Sequence, residues 1–249
     1  MRKRIVVVGA TSSIAEHCLR IWSTEQPNNF VLLGRNLDKL DLLKGDLLVR
    51  QPLNTVEVIQ AEFLDPNAIQ DLVKLICAAP VDIVLIAQGI LPEQQEYERD
   101  LSLISHNIEI NGLSPILFAE AFYQYMQYQS TGTIAVFSSV AGERGRKSNY
   151  IYGAAKGLVT RYVEGMQHKA AIKGNSVKIC LIKPGPTESA MTLHLKKQGV
   201  KLAPTQKVAS NIVKGIKKQQ RVIYTPAIWS LIMFIISNLP FILFKKMDI

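Results

Sequence analysis

Cysteine and histidine are scarce in this sequence, and their arrangement excludes the common metal sites. The chain has three cysteines and four histidines in 249 residues. It contains neither a Cys-x-x-Cys pair nor a His-Glu-x-x-His run, so we expect no bound metal. The cysteines, Cys18, Cys77 and Cys180, are odd in number and lie in apolar surroundings. This pattern predicts free thiols in a reducing compartment and no disulfide framework.

Long uninterrupted apolar runs are also missing. The first apolar run, Ile5–Val8, ends at Gly9 and is too short for the core of a signal peptide. We interpret it as a buried strand and expect a cytoplasmic protein. Near the C-terminus, Ala227–Phe244 is uncharged but interrupted by Pro240. A spanning helix needs about 20 apolar residues, so this stretch is slightly short for one.

Acidic residues are nearly absent from the end of the chain. Residues 191–249 carry ten Lys or Arg and a single acid, Asp248, whereas residues 1–190 carry 19 basic and 19 acidic residues. The net charge of +9 therefore belongs to the C-terminal segment. A basic segment beside an apolar one favours a membrane surface over nucleic acid as the partner.

Residues 226–249 are accordingly predicted to be an apolar, lysine-flanked, membrane-associating tail. We favour a tail that lies in the interface at the inner face of the membrane, which makes the protein peripheral or monotopic. Two alternatives stay open from the sequence. The tail spans the bilayer marginally, or it closes a hydrophobic dimer contact while the lysines form a solvated face.

The rest of the chain alternates short apolar runs with longer helical patterns. The predicted strands are Ile5–Val8, Phe30–Leu33, Val56–Gln60, Ile83–Ala87, Thr133–Ser138 and Val177–Ile182. The predicted helices are Ile14–Ser23, Leu37–Arg50, Asn67–Ala78, Leu101–Gln127 and Tyr152–Lys173. Consecutive apolar positions are typical of strands buried on both faces. The alternation predicts an α/β fold, a Rossmann-like doubly wound parallel sheet forming one domain over residues 1–225.

The turn after the first strand is a candidate phosphate site. A strand-to-helix turn presents backbone N–H groups and a helix N-terminus to an anion, here a dinucleotide pyrophosphate. We assign this contact to Gly9, Thr11, Ser12, Ser13 and Ile14. Gly9 is the only glycine of the turn, because Ser13 and Ala15 occupy the other small-residue positions.

The ends of the next strands supply further cofactor contacts. Arg35 and Asn36 follow the second strand, where a basic residue pairs with the 2′-phosphate of NADP; this favours NADP(H), with NAD(H) also possible. Glu62 and Phe63 follow the third strand and are predicted to lie near the adenine. The fourth strand ends at Ala87, Gln88 and Gly89, and the sixth at Pro184 and Gly185, whose loop is expected to cover the nicotinamide.

Four residues form the predicted catalytic group. Tyr152 and Lys156 lie one helical turn apart, so they share a helix face. A phenol has an unperturbed pKa of about 10, and a nearby ammonium is expected to lower it towards the working pH. Ser139, at the end of the fifth strand, would share charge on the substrate oxygen. Asn111 would hold a water that links Lys156 to solvent.

These motifs resemble the short-chain dehydrogenase/reductase superfamily over residues 1–225. The resemblance assigns catalysis to Asn111, Ser139, Tyr152 and Lys156, and cofactor contacts also to Tyr152, Lys156, Thr187 and Ser189. It further implies a homo-oligomer built through the long helices. The glycine turn carries two substitutions, and the superfamily's Asn-Asn-Ala-Gly element keeps only Gly89.

A narrower resemblance concerns the substrate. Residues 138–144 and 148–153, Met191-Thr192 and the basic, apolar C-terminus resemble decaprenylphosphoryl-2-keto-ribose reductases. This implies reduction of a lipid-linked keto-sugar in cell-envelope biosynthesis. One alternative is a membrane-associated reductase of steroid, retinoid or 3-oxoacyl substrates. A non-enzymatic alternative is a dinucleotide-binding scaffold protein.

Overall fold

Seven parallel strands form the centre of the molecule in the computed structural model, which describes residues 2–91, 93–192 and 199–247. The strands are β1 (Arg4–Val8), β2 (Asn29–Gly34), β3 (Thr55–Gln60), β4 (Ile83–Ile86), β5 (Thr133–Phe137), β6 (Lys178–Pro184) and β7 (Val222–Thr225). Their order is β3-β2-β1-β4-β5-β6-β7, and every neighbouring pair is parallel. The predicted doubly wound sheet is confirmed.

Helices cover both faces of this sheet. They are α1 (Ser13–Glu25), α2 (Leu37–Arg50), α3 (Pro66–Ile76), α4 (Gln94–Tyr97), α5 (Leu101–Ile108), α6 (Ser114–Met126), α7 (Tyr150–Ile172), α8 (Thr205–Lys217), α9 (Ile228–Asn238) and α10 (Phe241–Phe244). Buried residues of α3, α6 and α7 form one core cluster with the sheet. Those of α1, α2 and α8 form the other.

The strand β1 shows why its sequence is continuously apolar. Val6 and Val8 belong to the core cluster on one face, and Ile5 and Val7 to the cluster on the other. All four side chains are fully buried. Because side chains alternate between the faces of a strand, a sheet covered on both sides needs apolar residues at every position.

The chain reverses its winding direction between β1 and β4. From β1 it proceeds outward through β2 and β3, then returns to the other side of β1 and continues through β4 to β7. In open parallel sheets, the crevice at the carboxyl ends of the strands at this switch point binds ligands. The residues that follow β1, β4, β5 and β6 meet there.

The predicted helix Leu101–Gln127 is interrupted. A π-helical turn, Glu109–Leu113, separates α5 from α6. Pro115 cannot donate the backbone hydrogen bond that an α-helix would require at its position. Asn111, in the turn, is fully buried and bonds to the backbone of Ile90. Such π-turns inside helices occur frequently at functional sites.

Two elements near the C-terminus were not predicted, α8 and β7. Val208, Ile212 and Ile216 lie four positions apart, on one face of the helix, and are buried in the core cluster that they share with the sheet. Lys207, Lys214, Lys217 and Lys218 are on the exposed side of α8. These lysines thus lie on the exposed face of a core helix, and the contact with anionic lipid headgroups that the basic segment predicts for them stays a prediction; Lys196 and Lys197, which belong to the same prediction, lie outside the described residues.

The C-terminal helices α9 and α10 contact the main body with one side only. Met233 is 1% exposed, and Trp229 lies directly against Gly185. Arg144 donates to the carbonyls of Ile236 and Leu239, the latter at 2.6 Å, and its guanidinium lies 3.8 Å from the ring centre of Phe244. In the part of the chain that the structure describes, no helix is both long and apolar enough to cross a bilayer.

Candidate active site

A cleft of about 670 Å³ opens at the switch point of the sheet. Its size is in the range of pockets that hold cofactors and small substrates. Its walls come from the first turn of α1, the ends of β4, β5 and β6, the segment that contains α4, and the start of α7. The predicted site residues in its lining are Ser12, Ser13, Ile14, Ala87, Gln88, Gly89, Asn111, Ser139, Tyr152, Lys156, Pro184, Gly185, Thr187 and Ser189.

Gly9 shapes the phosphate end of the cleft without lining it. Its φ of +75° is in the left-handed region, and a Cβ at this position would lie 2.6 Å from the backbone nitrogen of Gln88. The N–H groups of Gly9 and Ala10 both donate to the carbonyl of Leu33, at 2.9 and 3.0 Å. The amides available to an anion are therefore those of the first turn of α1, which begins at Ser13. Thr11 precedes this turn and is half-buried.

The four residues predicted at the adenosine end lie outside the cleft lining. Arg35 is exposed at the end of β2, and Asn36 caps α2 by accepting from the Lys39 N–H at 2.9 Å. Glu62 is exposed and accepts from the N–H of Phe63 at 2.9 Å. The Phe63 ring is a core residue, packed edge-to-face on Phe118 with 5.5 Å between ring centres. The Phe63 side chain is therefore not an adenine contact.

Gly89 is surrounded by two predicted catalytic side chains. A Cβ here would lie 2.8 Å from the Oδ1 of Asn111 and 3.7 Å from the Nζ of Lys156. Asn111 Oδ1 accepts from Ile90 N at 3.0 Å, and its Nδ2 donates to Ile90 O at 2.9 Å. The Asn111 amide thus fixes the loop after β4, and the water-holding role expected of this residue stays a prediction. The neighbouring Gln88 Oε1 is buried without a hydrogen-bond partner among the described residues.

Ser139, Tyr152 and Lys156 come together where β5 ends and α7 begins. The Ser139 Oγ accepts from Ala141 N at 3.1 Å and lies 3.5 Å from the carbonyl of Pro184. Ser139 also hydrogen-bonds Tyr152. The Nζ of Lys156 is 5.7 Å from the centre of the Tyr152 ring and donates to Phe137 O at 3.4 Å.

Burial dominates the electrostatics of this group. It raises the pKa of Tyr152 to about 12, and the hydrogen bond from Ser139 opposes that shift. Burial also lowers the pKa of Lys156 to about 8, since its side chain is almost completely enclosed. The expected lowering of the phenol pKa by Lys156 is not seen in the protein alone.

Ser138 supports the site in a way that the sequence did not reveal. Its Oγ donates to the carbonyl of Lys156 at 2.8 Å and lies 2.7 Å from the Oγ1 of Thr160. Gly142 also touches this part of α7, because a Cβ there would lie 2.6 Å from the carbonyl carbon of Lys156. The adjacent Ser-Ser pair and the glycine are the only signals in the sequence for this close packing.

The loop after β6 forms the opposite wall. Gly185 is covered by the indole of Trp229, whose Nε1 occupies the space that a Cβ would need. Thr187 Oγ1 donates to Gly185 O at 2.9 Å, and Thr192 Oγ1 donates to Thr187 O at 2.6 Å. The Oγ of Ser189 lies 3.1 Å from the Oγ1 of Thr192. The loop is therefore ordered by its own hydrogen bonds and by α9.

Comparison with known proteins identifies the family. The model of the short chain dehydrogenase family matches residues 3–199. The chain is 26% identical over 250 residues to an uncharacterized oxidoreductase from Streptomyces coelicolor, covering 98% of this chain and 96% of that protein.

Solved structures share the fold. A short-chain dehydrogenase from Sphingobium yanoikuyae in complex with NADPH superposes with a TM-score of 0.78 at 18% identity, covering 96% of each chain. A short-chain dehydrogenase/reductase from Burkholderia phymatum in complex with NAD gives 0.79 at 18% identity, covering 92% of this chain and 91% of that one. The narrower resemblance to decaprenylphosphoryl-2-keto-ribose reductases has no counterpart in these matches. The chain belongs to the short-chain dehydrogenase family and is an NAD(P)-dependent oxidoreductase.

Proposed function

We propose that this protein reduces a ketone with NAD(P)H, with Tyr152 as the proton donor. The observation that carries the proposal is the meeting of Ser139, Tyr152 and Lys156 in one cleft with the first turn of α1. A nicotinamide dinucleotide carries its pyrophosphate in the middle and its reactive ring at one end, so it needs an anion site close to a reaction centre. Residues fitted to both tasks line the same cleft.

The residues present fit a nicotinamide cofactor. Gly89 leaves open a space beside Lys156 that a Cβ would fill, and Ser13 and Ile14, in the first turn of α1, present helix N–H groups to a phosphate. When bound, the cofactor supplies the hydride. We further propose NADP(H) as the preferred form. Arg35 is exposed at the end of β2, and its guanidinium makes no hydrogen bond or ion pair with the described residues. It can therefore bind the 2′-phosphate of the cofactor.

Three side chains of the protein supply the proton and stabilise the charge that develops during the reaction. Tyr152 holds its proton at neutral pH, since its pKa is about 12, and gives it to the substrate oxygen as negative charge develops there. Ser139 donates a hydrogen bond to the same oxygen. Lys156 adds positive charge beside the phenol, which stabilises the phenolate left behind.

The proposed substrate is a keto-sugar carried on a lipid phosphate. The support is a continuous apolar surface on α9 and α10, which we call the tail face: Ile228, Leu231, Phe234, Ile235, Phe241, Ile242 and Leu243, each more than half exposed. Lys245 and Lys246 follow it. Such a surface suits the headgroup boundary of a membrane, and α9 adjoins the cleft through Trp229 and Gly185.

The experiment compares the wild type with Tyr152→Phe, using NADPH and NADH in detergent with three kinds of ketone. These are a lipid-linked 2-keto-pentose, 3-oxoacyl lipids and steroid ketones. We expect the lipid-linked sugar to be reduced and Tyr152→Phe to lose at least about 100-fold in rate, with NADPH binding, followed by fluorescence, retained.

The outcomes separate the candidate functions. Turnover of steroid or 3-oxoacyl ketones alone would replace the proposed substrate by the general lipid-ketone alternative. Undiminished turnover in Tyr152→Phe would remove Tyr152 from the mechanism. Biological activity of the Tyr152→Phe protein in cells, with no turnover of any ketone in vitro, would favour the scaffold.

A further inference from the structure

A short loop before α7 places two polar side chains in the cleft wall. Each has a buried polar atom without a hydrogen-bond partner among the described residues. The loop runs from Gly145 to Asn149, and both Arg146 and Asn149 line the cleft with Tyr152. Neither residue takes part in the chemistry described above. Their environment indicates what they bind.

Arg146 is a half-buried cation with no counter-ion among the described residues. Its Nε is completely enclosed and has no hydrogen-bond acceptor among the described residues. No carboxylate of the described chain lies within ion-pair distance of its guanidinium. Enclosing a charge without a partner costs free energy, and burial lowers the pKa of Arg146 accordingly.

Several other arginines have partners among the described residues. Arg20 and Arg50 both pair with Asp46, at 2.8 and 2.9 Å. Arg161, although mostly exposed, pairs with Glu164 at 2.8 Å. Arg144, two residues before Arg146, is satisfied by backbone carbonyls and an aromatic ring. Arg35 and Arg99 also lack an ion pair among the described residues, but both are exposed, whereas the unpaired Nε of Arg146 is buried and the residue lines the cleft.

Asn149 occupies the N-cap position of α7 but does not cap the helix. Its side chain makes no capping hydrogen bond, although asparagine at this position normally does. Its Oδ1 is buried and has no donor among the described residues. The residue instead lines the cleft, and its Oδ1 is an acceptor left unsatisfied by the described residues.

We propose that Arg146 and Asn149 form a substrate subsite, in which Arg146 binds a phosphate oxyanion and Asn149 accepts a hydrogen bond from a substrate hydroxyl. This deepens the proposed function and rests on it for the reaction itself. The guanidinium fork binds two phosphate oxygens at once. Two acids that also line the cleft, Glu93 and Glu98, are exposed and leave Arg146 unpaired.

The subsite defines a class of substrate: a hydroxylated ketone that carries a phosphate close to the reacting carbonyl. A soluble sugar phosphate and a lipid-linked sugar phosphate share this chemistry. Both would satisfy Arg146 and Asn149, and only the experiment below separates them.

The binding test uses NADPH-loaded protein and inorganic phosphate as the probe, titrated by calorimetry. The variants are Arg146→Met, Arg146→Lys and the control Arg161→Met, which removes an arginine of α7 outside the cleft lining. We expect Arg146→Met to weaken phosphate binding about 10- to 100-fold, because a charge-assisted bidentate contact is lost. Arg146→Lys should lose less, and Arg161→Met nothing.

Saturable phosphate binding that is equal in Arg146→Met and the wild type would overturn the subsite, as would its absence from the wild type. Loss of NADPH binding, read beforehand by fluorescence, would count against the proposed function and not against Arg146. The Arg146→Lys variant keeps the positive charge. If Arg146→Met fails to fold, the phosphate affinity of Arg146→Lys decides the result.

The kinetic test compares a phosphorylated ketose with the same ketose lacking the phosphate. We expect Arg146→Met to raise KM for the phosphorylated ketose only, leaving kcat and the neutral ketose unaffected, and Asn149→Ala to raise KM for both. Equal effects of Arg146→Met on the two ketoses would contradict the proposal. A polyprenyl-phosphate-linked ketose in micelles forms the third arm. Preference for the soluble phosphate over it keeps the subsite but overturns the lipid-linked substrate.

Discussion

Lys156 is a charged residue of the site whose burial costs free energy. An ammonium group favours water, yet this side chain is 3% exposed and its Nζ has one protein acceptor, the carbonyl of Phe137. Burial lowers its pKa from the usual 10.5 to about 8. Function, and not stability, explains a cation at this position.

Replacing Lys156 by Met should therefore stabilise the cofactor-free protein while abolishing turnover. The folded pKa lies below the unfolded one, so the penalty of the buried charge is fully present below pH 8 and disappears as the pH rises towards 10.5. At pH 7 we expect Lys156→Met to gain on the order of 3 kcal/mol in free energy of unfolding, measured by urea denaturation.

The pH dependence is the internal control for this effect. The difference between wild type and Lys156→Met should shrink steadily when the titrations are repeated between pH 8 and pH 10. A difference that stays constant over that interval would mean that the gain comes from packing and not from the removed charge.

A second prediction at the residue scale concerns the proposed preference for NADP(H), which rests on Arg35. If it binds the 2′-phosphate, Arg35→Asp should lower kcat/KM for NADPH about 10- to 100-fold and shift the preference towards NADH. Arg50→Asp, an equal charge change at the far end of α2, is the control and should leave the NADPH-to-NADH ratio as it is. An unchanged ratio in Arg35→Asp would remove Arg35 from the cofactor site.

The sequence indicated that some residues of this site lie together, but it did not reveal the contacts that others make. Ser139, Tyr152 and Lys156 were found because their spacing along one strand end and one helix face is itself geometric information. The contacts of Asn111, Asn36 and Phe63 depend on what tertiary structure brings beside them: Ile90, the first turn of α2 and Phe118. Their actual environments therefore appear only in the folded chain.

At the level of elements, a buried ionic group joins the segment after β5 to the last two strands. Glu143 accepts from Lys183 Nζ on β6 and from Tyr224 Oη on β7, both at 2.6 Å. Lys183 is 4% exposed and Glu143 18%. Burial and the neighbouring Glu143 raise the pKa of Tyr224. The group holds in place the segment from which Arg144 and Arg146 extend.

Glu143→Gln should cost about 2–4 kcal/mol of unfolding free energy, because it leaves Lys183 buried with only Glu164, at 3.9 Å. Urea denaturation at pH 7 measures the cost. Arg161→Met, which breaks an exposed pair, should change stability by less than about 0.5 kcal/mol. If both substitutions cost the same small amount, the buried group does not stabilise the fold.

Elements were predictable where burial imposes a pattern on the sequence. β1, β2, β4, β5 and β6 are nearly continuous apolar runs because the sheet is covered on both faces. β7 was missed because it is short and lies at the sheet edge, with Val222 and Tyr224 only half-buried. The π-turn was missed because its buried Asn111 bonds to the backbone of Ile90, a contact between distant segments that no local pattern encodes.

For the whole molecule, the tail face and the basic C-terminus predict how the protein distributes between water and membrane. Removing the tail outright would also remove Trp229 and Met233 from the body, so surface changes test the idea more cleanly. We expect the wild type to sediment with vesicles containing anionic lipid, less so with zwitterionic vesicles, and less at high salt.

Phe234→Ser combined with Phe241→Ser should reduce this vesicle binding at least about 10-fold, since each ring buries apolar area worth about 1.5–3 kcal/mol. The two side chains are 69% and 71% exposed, so the fold should be unaffected. Leu42→Ser, 76% exposed on α2, is the control and should bind as the wild type does. A double variant that binds vesicles normally but loses self-association in sedimentation equilibrium would assign the tail face to a dimer contact instead.

The position of Trp229 has an optical consequence. The chain has two tryptophans, and Trp22 is 5% exposed in the core beside α2. A Trp22→Phe variant would leave a single indole, lying on Gly185 in the wall of the cleft. Its emission would report on the occupancy of the cleft and on whether the C-terminal helices are packed against the body. Cofactor titrations and membrane titrations can therefore be followed with the same intrinsic fluorophore.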